Sequence, residues 1–486
     1  MIAGLLMATN SLTTAAEPRP MTPSPVAAAL DLNHDGTIDD GEISRASQSL
    51  AGLDQNSDGK ITRDEFRGGA KPAPQPAPAA PAKVQAAAGA PNILVIIADD
   101  LGWNGVGFHD PKAPTPNLDR LATEGMELGN FHTYPVCSPS RAAFLTGMMP
   151  LRFGIVDALG PRQGGIPAGI PTLPEIFRAS GYQTSLIGKW HVGGERLPMQ
   201  CGFEHFYGHL GPQIDYFKHT NQRGEPDWQR DGKQLEETGY STDLIADEAI
   251  RQFGQRDPKR PFFMEVAFNA PHVPLAAPDA LVAKHEKDGG VYPAVIEAMD
   301  LAIGRMLAAL DQQGLRDNTL VVFFSDNGAG PRFSSNAPLS GGKDSIQEGG
   351  IRTPCLVRWP GKIPAHTKND HPLGIADLPA TLAAACGLRF PAEAKLDGSN
   401  QWPAILSGKA TPREPFLIAS HDTALFDGDW KLIEWESGKR SLHNLKSDIS
   451  ETKDLSLTQP DVFKRLAAKL AGLKQGLPAA PARRTL

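Results

Sequence analysis

Two acidic pairs carry the first chemical signal in this sequence. Asp99-Asp100 follows the apolar run Ile93-Leu94-Val95-Ile96-Ile97, and Asp326-Asn327-Gly328 follows Leu320-Val321-Val322-Phe323-Phe324. Such runs read as buried strands, and in open α/β sheets ligands gather just outside the carboxyl ends of strands. One such pair alone is more often turn chemistry, but two at matching strand ends point to a shared site. Asp99, Asp100, Asp326 and Asn327 offer three carboxylates and an amide, hard oxygen donors suited to Ca²⁺, with Mg²⁺ the alternative. The second signal is Pro135-Val136-Cys137-Ser138-Pro139-Ser140-Arg141, which continues to Leu145-Thr146-Gly147. Pro139 suits a first helical turn and Gly147 a helix end, so a helix starts at the cysteine. Cys137 and Arg141, four apart, then share a face at the positive helix terminus, an anion-binding position. A buried structural cysteine and a thiolate nucleophile both remain open readings of Cys137.

Two further loops are rich in oxygen donors. Asp31, Asn33, Asp35, Thr37, Asp39 and Glu42 surround Gly36, and Asp54, Asn56, Asp58, Lys60, Thr62 and Glu65 surround Gly59. The donor positions and the central glycine resemble those of the EF-hand calcium loop, with the backbone carbonyls of Thr37 and Lys60 as ligands. Only Ile43 to Leu53 separates the loops, a single shared helix shorter than the usual paired arrangement.

The elements that position these groups fall into distinct regions. Residues 1–16, an apolar stretch ending in Thr14-Ala15-Ala16, resemble a signal peptide and imply a periplasmic or secreted protein. The EF-hand-like module covers 26–68, and a Pro/Ala-rich stretch over 69–91 reads as an extended linker. From residue 92, strands at Ile93–Ile97, Thr184–Ile187, Phe262–Ala267 and Leu320–Phe324 alternate with helical patterns such as Thr172–Ala179 and Ala294–Leu315. That order predicts an α/β catalytic domain over 92–410 with a mostly parallel sheet sandwiched by helices. Residues 411–480 predict a C-terminal subdomain, with a small antiparallel sheet between Pro415 and Leu455 and a closing helix at Val462–Leu473. A net charge of -7 and the absence of any Lys/Arg run exclude nucleic acid as a partner, and no stretch is long and apolar enough to span a bilayer. Four cysteines in 486 residues do not make a disulfide scaffold.

The segment from Cys137 to Gly147 resembles the signature of the type I sulfatases, in which the cysteine is oxidised to formylglycine by a maturation enzyme. Further segments similar to that family follow in order: Asp99-Asp100-Leu101-Gly102, Gly188-Lys189-Trp190-His191, Ala270-Pro271-His272, Ser325-Asp326-Asn327-Gly328, Gly341-Gly342-Lys343 and Glu348-Gly349-Gly350. The resemblance implies an alkaline-phosphatase-like fold and hydrolysis of sulfate esters. It also implies that Asp99, Asp100, Asp326, Asn327 and the modified residue 137 hold Ca²⁺. Arg141 and Lys189 would fix the nucleophile. Lys343 and His272 would contact the sulfate, and His191 would assist its release. Gly102-Trp103-Asn104 and the Asp215-Tyr216-Phe217 segment look most like the arylsulfatase B, N-acetylgalactosamine-4-sulfatase, branch, which implies a sulfated polysaccharide or glycosaminoglycan fragment as substrate. A phosphonate or phosphate diester hydrolase of the same superfamily and a non-catalytic calcium-binding scaffold are the rival readings.

Overall fold

The computed structural model describes residues 89–330, 336–481 and 483, together with residues 30, 31, 37–39, 41–43, 46 and 50. The predicted leader, most of the linker and the second EF-hand-like loop, Asp54 to Glu65, lie outside the described residues, as do Asn33 and Asp35. The chain divides into two compact units, Met1–Ala79 and Ala80–Leu486. In the first, Gly41, Glu42 and Ile43 are helical, and Asp39 and Glu42 form a reciprocal cap. The Asp39 N–H donates to Glu42 Oε2 at 3.0 Å, and the Glu42 N–H donates to Asp39 Oδ1 at 2.9 Å. Such a cap satisfies two amides that a helix start otherwise leaves open.

The second unit is built on a ten-stranded sheet. In chain order its strands are β1 (Asn92–Ala98), β2 (Met126–Leu128), β4 (Gln183–Lys189), β5 (His205–His209), β6 (Gln229–Arg230), β7 (Lys233–Gln234), β8 (Phe262–Ala267), β9 (Thr319–Ser325), β10 (Cys355–Arg358) and β11 (Thr367–Asn369). The spatial order is β11-β2-β10-β9-β1-β8-β4-β5-β6-β7, with β9, β1, β8, β4 and β5 mutually parallel in its centre. The outer pairs β10/β9, β10/β2, β5/β6 and β6/β7 are antiparallel, so the sheet is mixed at its flanks.

Every residue of β1 is buried, because alternate side chains enter two separate cores. Ile93, Val95 and Ile97 pack with Phe144, Phe177 and Leu382 from the helices Cys137–Thr146, Leu173–Ala179 and Asp377–Ala385. Leu94, Ile96 and Ala98 pack with Leu118, Ala249 and Met299 from Pro116–Glu124, Ser241–Gln255 and Val291–Gln312. Helices on both faces of a parallel centre explain why these strands read as continuous apolar runs. The Val291–Gln312 helix starts and stops earlier than the Ala294–Leu315 pattern predicts. Gly314 takes φ 66°, a left-handed turn that ends the helix and sends Leu315 into a short 3₁₀ turn.

A small pair, β3 (Phe131–His132) and β12 (Leu373–Gly374), lies beside the main sheet. The C-terminal antiparallel sheet appears as predicted: β13 (Phe416–Ala419), β14 (Thr423–Asp427), β15 (Trp430–Glu434) and β16 (Arg440–Asn444) pair in sequence. Ile418, Ala424, Phe426 and Ile433 face the large core, while Leu425, Leu432 and Leu442 pack on Leu466 and Leu470 of the Pro460–Leu473 helix. Lys431, with no exposed surface, fastens this sheet to the main body. Its ammonium donates to the Ile346 carbonyl at 2.9 Å and pairs with Glu348 and Glu451 at 2.8 Å each. Glu348 in turn meets His132 at 2.9 Å and Arg352 at 3.2 Å.

A buried charge whose partner is removed is costly, because the survivor has no water to replace it. Lys431→Met is therefore expected to destabilise the second unit by roughly 3–5 kcal/mol in a urea titration; a loss under about 1 kcal/mol, the range of exposed pairs, would show that water reaches Glu348 and Glu451.

Candidate active site

The two acidic pairs stand at the carboxyl ends of neighbouring parallel strands. β1 and β9 pair in register to Ala98 and Ser325, so Asp99-Asp100 and Asp326-Asn327 emerge side by side. Backbone bonds carry the ladder past the strand ends: Asp326 N–H to Ala98 O at 3.1 Å and Asp99 N–H to Ala270 O at 3.0 Å. The Asp100 N–H donates to Asp326 Oδ1 at 3.2 Å, and Asp100 itself sits at φ 65°. A left-handed aspartate needs such local bonds to hold it there.

β4 delivers the next group. Gly188 takes φ 109°, and a Cβ there would lie 1.9 Å from the Ala267 carbonyl oxygen, so only glycine lets β4 approach β8 before Lys189 turns inward. Lys189 Nζ reaches Asp99 Oδ2 at 2.5 Å, and both side chains are completely buried. The third contribution is the Cys137–Thr146 helix, which ends at Gly147 in the left-handed region with its N–H on Ala143 O, as the sequence predicts. Cys137 Sγ lies 3.4 Å from Asp99 Oδ1 and 3.7 Å from Asp100 Oδ1. Arg141, one turn on, donates from Nε to Asp326 Oδ2 at 2.9 Å and from Nη1 to the Lys189 carbonyl at 3.1 Å.

Lys343 closes the cluster from the loop before Glu348. Its Nζ lies 2.8 Å from Asp100 and 3.5 Å from Cys137 Sγ. His272 Nε2 lies 3.6 Å from Asp100 Oδ2, and its Nδ1 bonds the Val273 carbonyl at 2.6 Å. His191, at φ 50°, is buried with neither ring nitrogen hydrogen-bonded. Lys189, Arg141, His272 and Lys343 are near enough to act on its charge. The structure thus brings together every residue singled out from the catalytic segments.

The electrostatics follow from burial. Burial raises the Cys137 thiol well above its usual value and Asp326 reinforces the effect, which disfavours a thiolate nucleophile. Burial and then Lys189 push His272 down to about 3, and burial with Lys189 and Arg141 pushes His191 well below its usual value, so both imidazoles are neutral near pH 7. Burial alone would raise the Asp100 carboxyl, but Lys343 and His272 beside it hold it well below the carboxylate range. Burial works on Lys343 in the opposite sense, yet Cys137 and Asp100 keep its ammonium firmly protonated. Burial, reinforced by Asp99, raises Asp326 to about 6 despite Arg141.

Asp99, Asp100, Cys137 and His272 place ligand atoms within 4.8 Å of one another. Asn327 donates to Asp100 Oδ1 at 2.7 Å, while its own Oδ1 is buried without a hydrogen-bond partner. An orphaned amide oxygen beside three carboxylates fits a hard cation. Two residues near this centre escaped the reading of the sequence. Glu265, on β8, is buried with Oε2 unpartnered and is raised to about 8 by burial despite Arg141. His209, paired with Lys189 in the β4/β5 register, is buried with both ring nitrogens lacking hydrogen bonds. Glu265 was visible as a charge inside the apolar run Phe262–Ala267; His209 carried no signal.

This fold and site define an alkaline-phosphatase-like hydrolase with a carboxylate-and-cation centre at the strand ends. The Sulfatase family model matches residues 91–388, and an EF hand model matches 28–46 and 53–68. N-acetylgalactosamine-6-sulfatase of Canis lupus familiaris is 36% identical over 386 residues, spanning 72% of this chain and 73% of that one. Arylsulfatase A of Homo sapiens is 32% identical over 367 residues, spanning 68% and 70%. The crystal structure of Ps i-CgsB in complex with k-i-k-neocarrahexaose has a TM-score of 0.75 at 33% identity, covering 80% of this chain and 94% of that one. The chain belongs to the sulfatase family and is a hydrolase of sulfuric esters. Among the described residues no helix is long and apolar enough to cross a membrane.

A cation held by Asp99, Asp100, Asp326 and Asn327 would stabilise the folded chain by mass action, by about 2.7 kcal/mol at 100 times its dissociation constant. Calcium added to chelator-treated protein is expected to raise the melting temperature, and less so in Asp100→Asn. An equal rise in both proteins would move the calcium effect to other sites.

Proposed function

We propose that this sulfatase releases sulfate from a sulfated glycan, using a formylglycine made from Cys137 and a Ca²⁺ held by Asp99, Asp100, Asp326 and Asn327. The observation that carries the reading is the convergence of Cys137, Lys189, Lys343, His272 and the paired aspartates on one point at the strand ends. Formylglycine supplies a hydrated aldehyde, one hydroxyl of which attacks sulfur while the other allows sulfate to leave by return to the aldehyde, a route closed to plain serine. Calcium, when bound, supplies positive charge to the sulfuryl oxygens.

The chain's own groups do the rest. Arg141 anchors the metal-side carboxylate Asp326 and the Lys189 backbone, and so holds residue 137 in line. Lys343 is the fixed cation for the sulfate. His272, neutral and donating its Nδ1–H to the Val273 carbonyl, turns an Nε2 lone pair toward the cluster, so of the two sulfate-contacting groups the protonated Lys343 carries the proton needed by the leaving alcohol. His191, buried and neutral, accepts the proton released as sulfate departs. The N-terminal EF-hand-like loops, with Asp31, Thr37, Asp39 and Glu42 among the described ligand candidates, hold further Ca²⁺.

A glycan substrate is supported by relatives whose names carry N-acetylgalactosamine 6-sulfate and by the neocarrahexaose complex. The sequence-based likeness to the 4-sulfatase branch agrees with the N-acetylgalactosamine-6-sulfatase relatives in the sugar and differs from them in the sulfate position. A maturation enzyme would be a transient partner, and a periplasmic or secreted location follows if residues 1–16 act as a leader.

Mass spectrometry of the peptide containing residue 137, from protein made in its native host, is expected to show a loss of about 18 mass units with aryl-sulfate turnover. An intact cysteine in active protein would end the formylglycine reading. Cys137→Ala is expected to abolish turnover, and His272→Ala or Lys343→Ala to lower kcat by roughly 10²–10⁴; turnover of an aryl phosphodiester above that of the aryl sulfate would favour the diester rival instead.

A further inference from the structure

Beside the cluster runs a crevice whose walls continue those of the active site. Pro135 and Val136, immediately before Cys137, form one side, and Asp344, immediately after Lys343, forms its rim. Asp344 is held at φ 72° with its N–H on the Pro135 carbonyl at 2.9 Å, so the segments bearing Cys137 and Lys343 meet there. The far wall comes from the turn between β13 and β14, where His421 lies with its side chain only 5% exposed.

His421 Nε2 is 2.8 Å from Asp157 Oδ1, whereas Nδ1 is buried with no partner. An imidazole donating Nε2–H to a carboxylate presents its Nδ1 lone pair as an acceptor. Ser420 and Asp422 on the wall are committed, and Asp344 at the rim is exposed. Ser420 Oγ donates to the Val156 carbonyl, and Asp422 accepts from the Glu436 N–H and from Arg483. Arg483 is further paired with Glu436 at 2.8 Å. The crevice has about 20 Å³ of room, which suits one water-sized group and excludes a sugar ring. Asp157, Asp344 and Asp422 outnumber Arg483 on its walls, so an anion entering it meets like charge.

We infer that this crevice is a specificity subsite in which the Asp157–His421 dyad accepts a hydrogen bond from a free hydroxyl of the glycan, beside the ester being cleaved. The inference rests on the sulfated-glycan reading above. The dyad takes no part in sulfate transfer: it favours sugars carrying a hydroxyl at this position and rejects those carrying a second sulfate there.

The test compares kcat/KM for 4-nitrophenyl sulfate, which has no such hydroxyl, with that for N-acetylgalactosamine 6-sulfate and a sulfated neocarrahexaose, in wild type and variants. His421→Ala is expected to lower the glycan-to-aryl ratio about tenfold, the scale of one lost hydrogen bond. His421→Asn, whose amide oxygen can stand near Nδ1, is expected to recover most of it. Asp157→Asn is expected to move the ratio in the same direction as His421→Ala. Parallel losses on aryl and glycan esters, or an unchanged ratio in His421→Ala, would overturn the subsite. A wild type that cleaves the aryl ester and neither glycan would overturn both the subsite and the glycan reading while leaving sulfatase chemistry intact; one that cleaves none of the three would fail the function itself.

Discussion

The architecture of this sulfatase depends on pairing charges where water is excluded. Asp99, Asp326, Arg141 and Lys189 are all almost completely buried, and Asp100 and Lys343 border them. Isolated, each would cost several kcal/mol to remove from water. Together, three carboxylates face three cations, and each cation touches a carboxylate directly. The parallel centre of the sheet makes this possible, because β1, β9, β8 and β4 end on one edge and deliver their next residues to one point. The helix starting at Cys137 completes the balance by lowering Arg141 onto Asp326. A site with evenly matched charges tolerates an anionic ester and a divalent cation together, since the two add opposite charge to the same cluster.

A second buried network ties that balance to the C-terminal sheet. Lys431 binds the Ile346 carbonyl and Glu348, three and five positions beyond Lys343, while Glu451 accepts the Glu348 N–H at 2.6 Å. The loop carrying Lys343 is thus clamped from both sides: its Lys343 N–H bonds the Ala329 carbonyl, and Asp344 bonds Pro135. The C-terminal sheet therefore has two consequences for the site. It stiffens the loop that carries Lys343, and it carries His421 to the crevice beside Cys137. Left-handed backbone at Asp100, His191 and Asp344 fits the same picture. Conformations of this kind persist only where neighbours over-determine them.

How much of this was legible in the sequence depended on whether the signal was local. The strands were legible because a parallel strand buried on both faces leaves an unbroken apolar run, as at Ile93–Ile97 and Leu320–Phe324. The Cys137 helix was legible because Pro139 and Gly147 mark its ends. The acidic pairs were read at matching strand ends because strand direction follows from the α/β order, and the structure adds that those strands, β1 and β9, are neighbours. The limits of the Val291–Gln312 helix were read less well, since the apolar pattern runs on through Leu315 while Gly314 alone breaks it. Contacts between remote segments left no pattern at all. His421 and Asp157 are 264 positions apart, Lys431 and Glu348 83 apart, and no periodicity links either pair.

The contrast between the two kinds of residue explains what family membership does and does not convey. The groups proposed to handle the sulfate lie in short segments, Cys137 to Arg141 at a helix start and Gly188 to His191 and Ser325 to Gly328 at strand ends, whose geometry those elements set. Transfer of sulfate makes the same demands whatever alcohol leaves, so these segments describe the reaction and are silent on the sugar. In the proposed subsite, recognition of the sugar falls to side chains from separate elements that meet only in the folded chain. Asp157 follows the Pro150–Phe153 turn, His421 the β13 strand and Asp344 the Lys343 loop. Each can change without disturbing the charge balance beneath it, because none supplies a partner to Asp99, Asp326, Arg141 or Lys189. Substrate preference is therefore free to diverge on a reaction centre that is not.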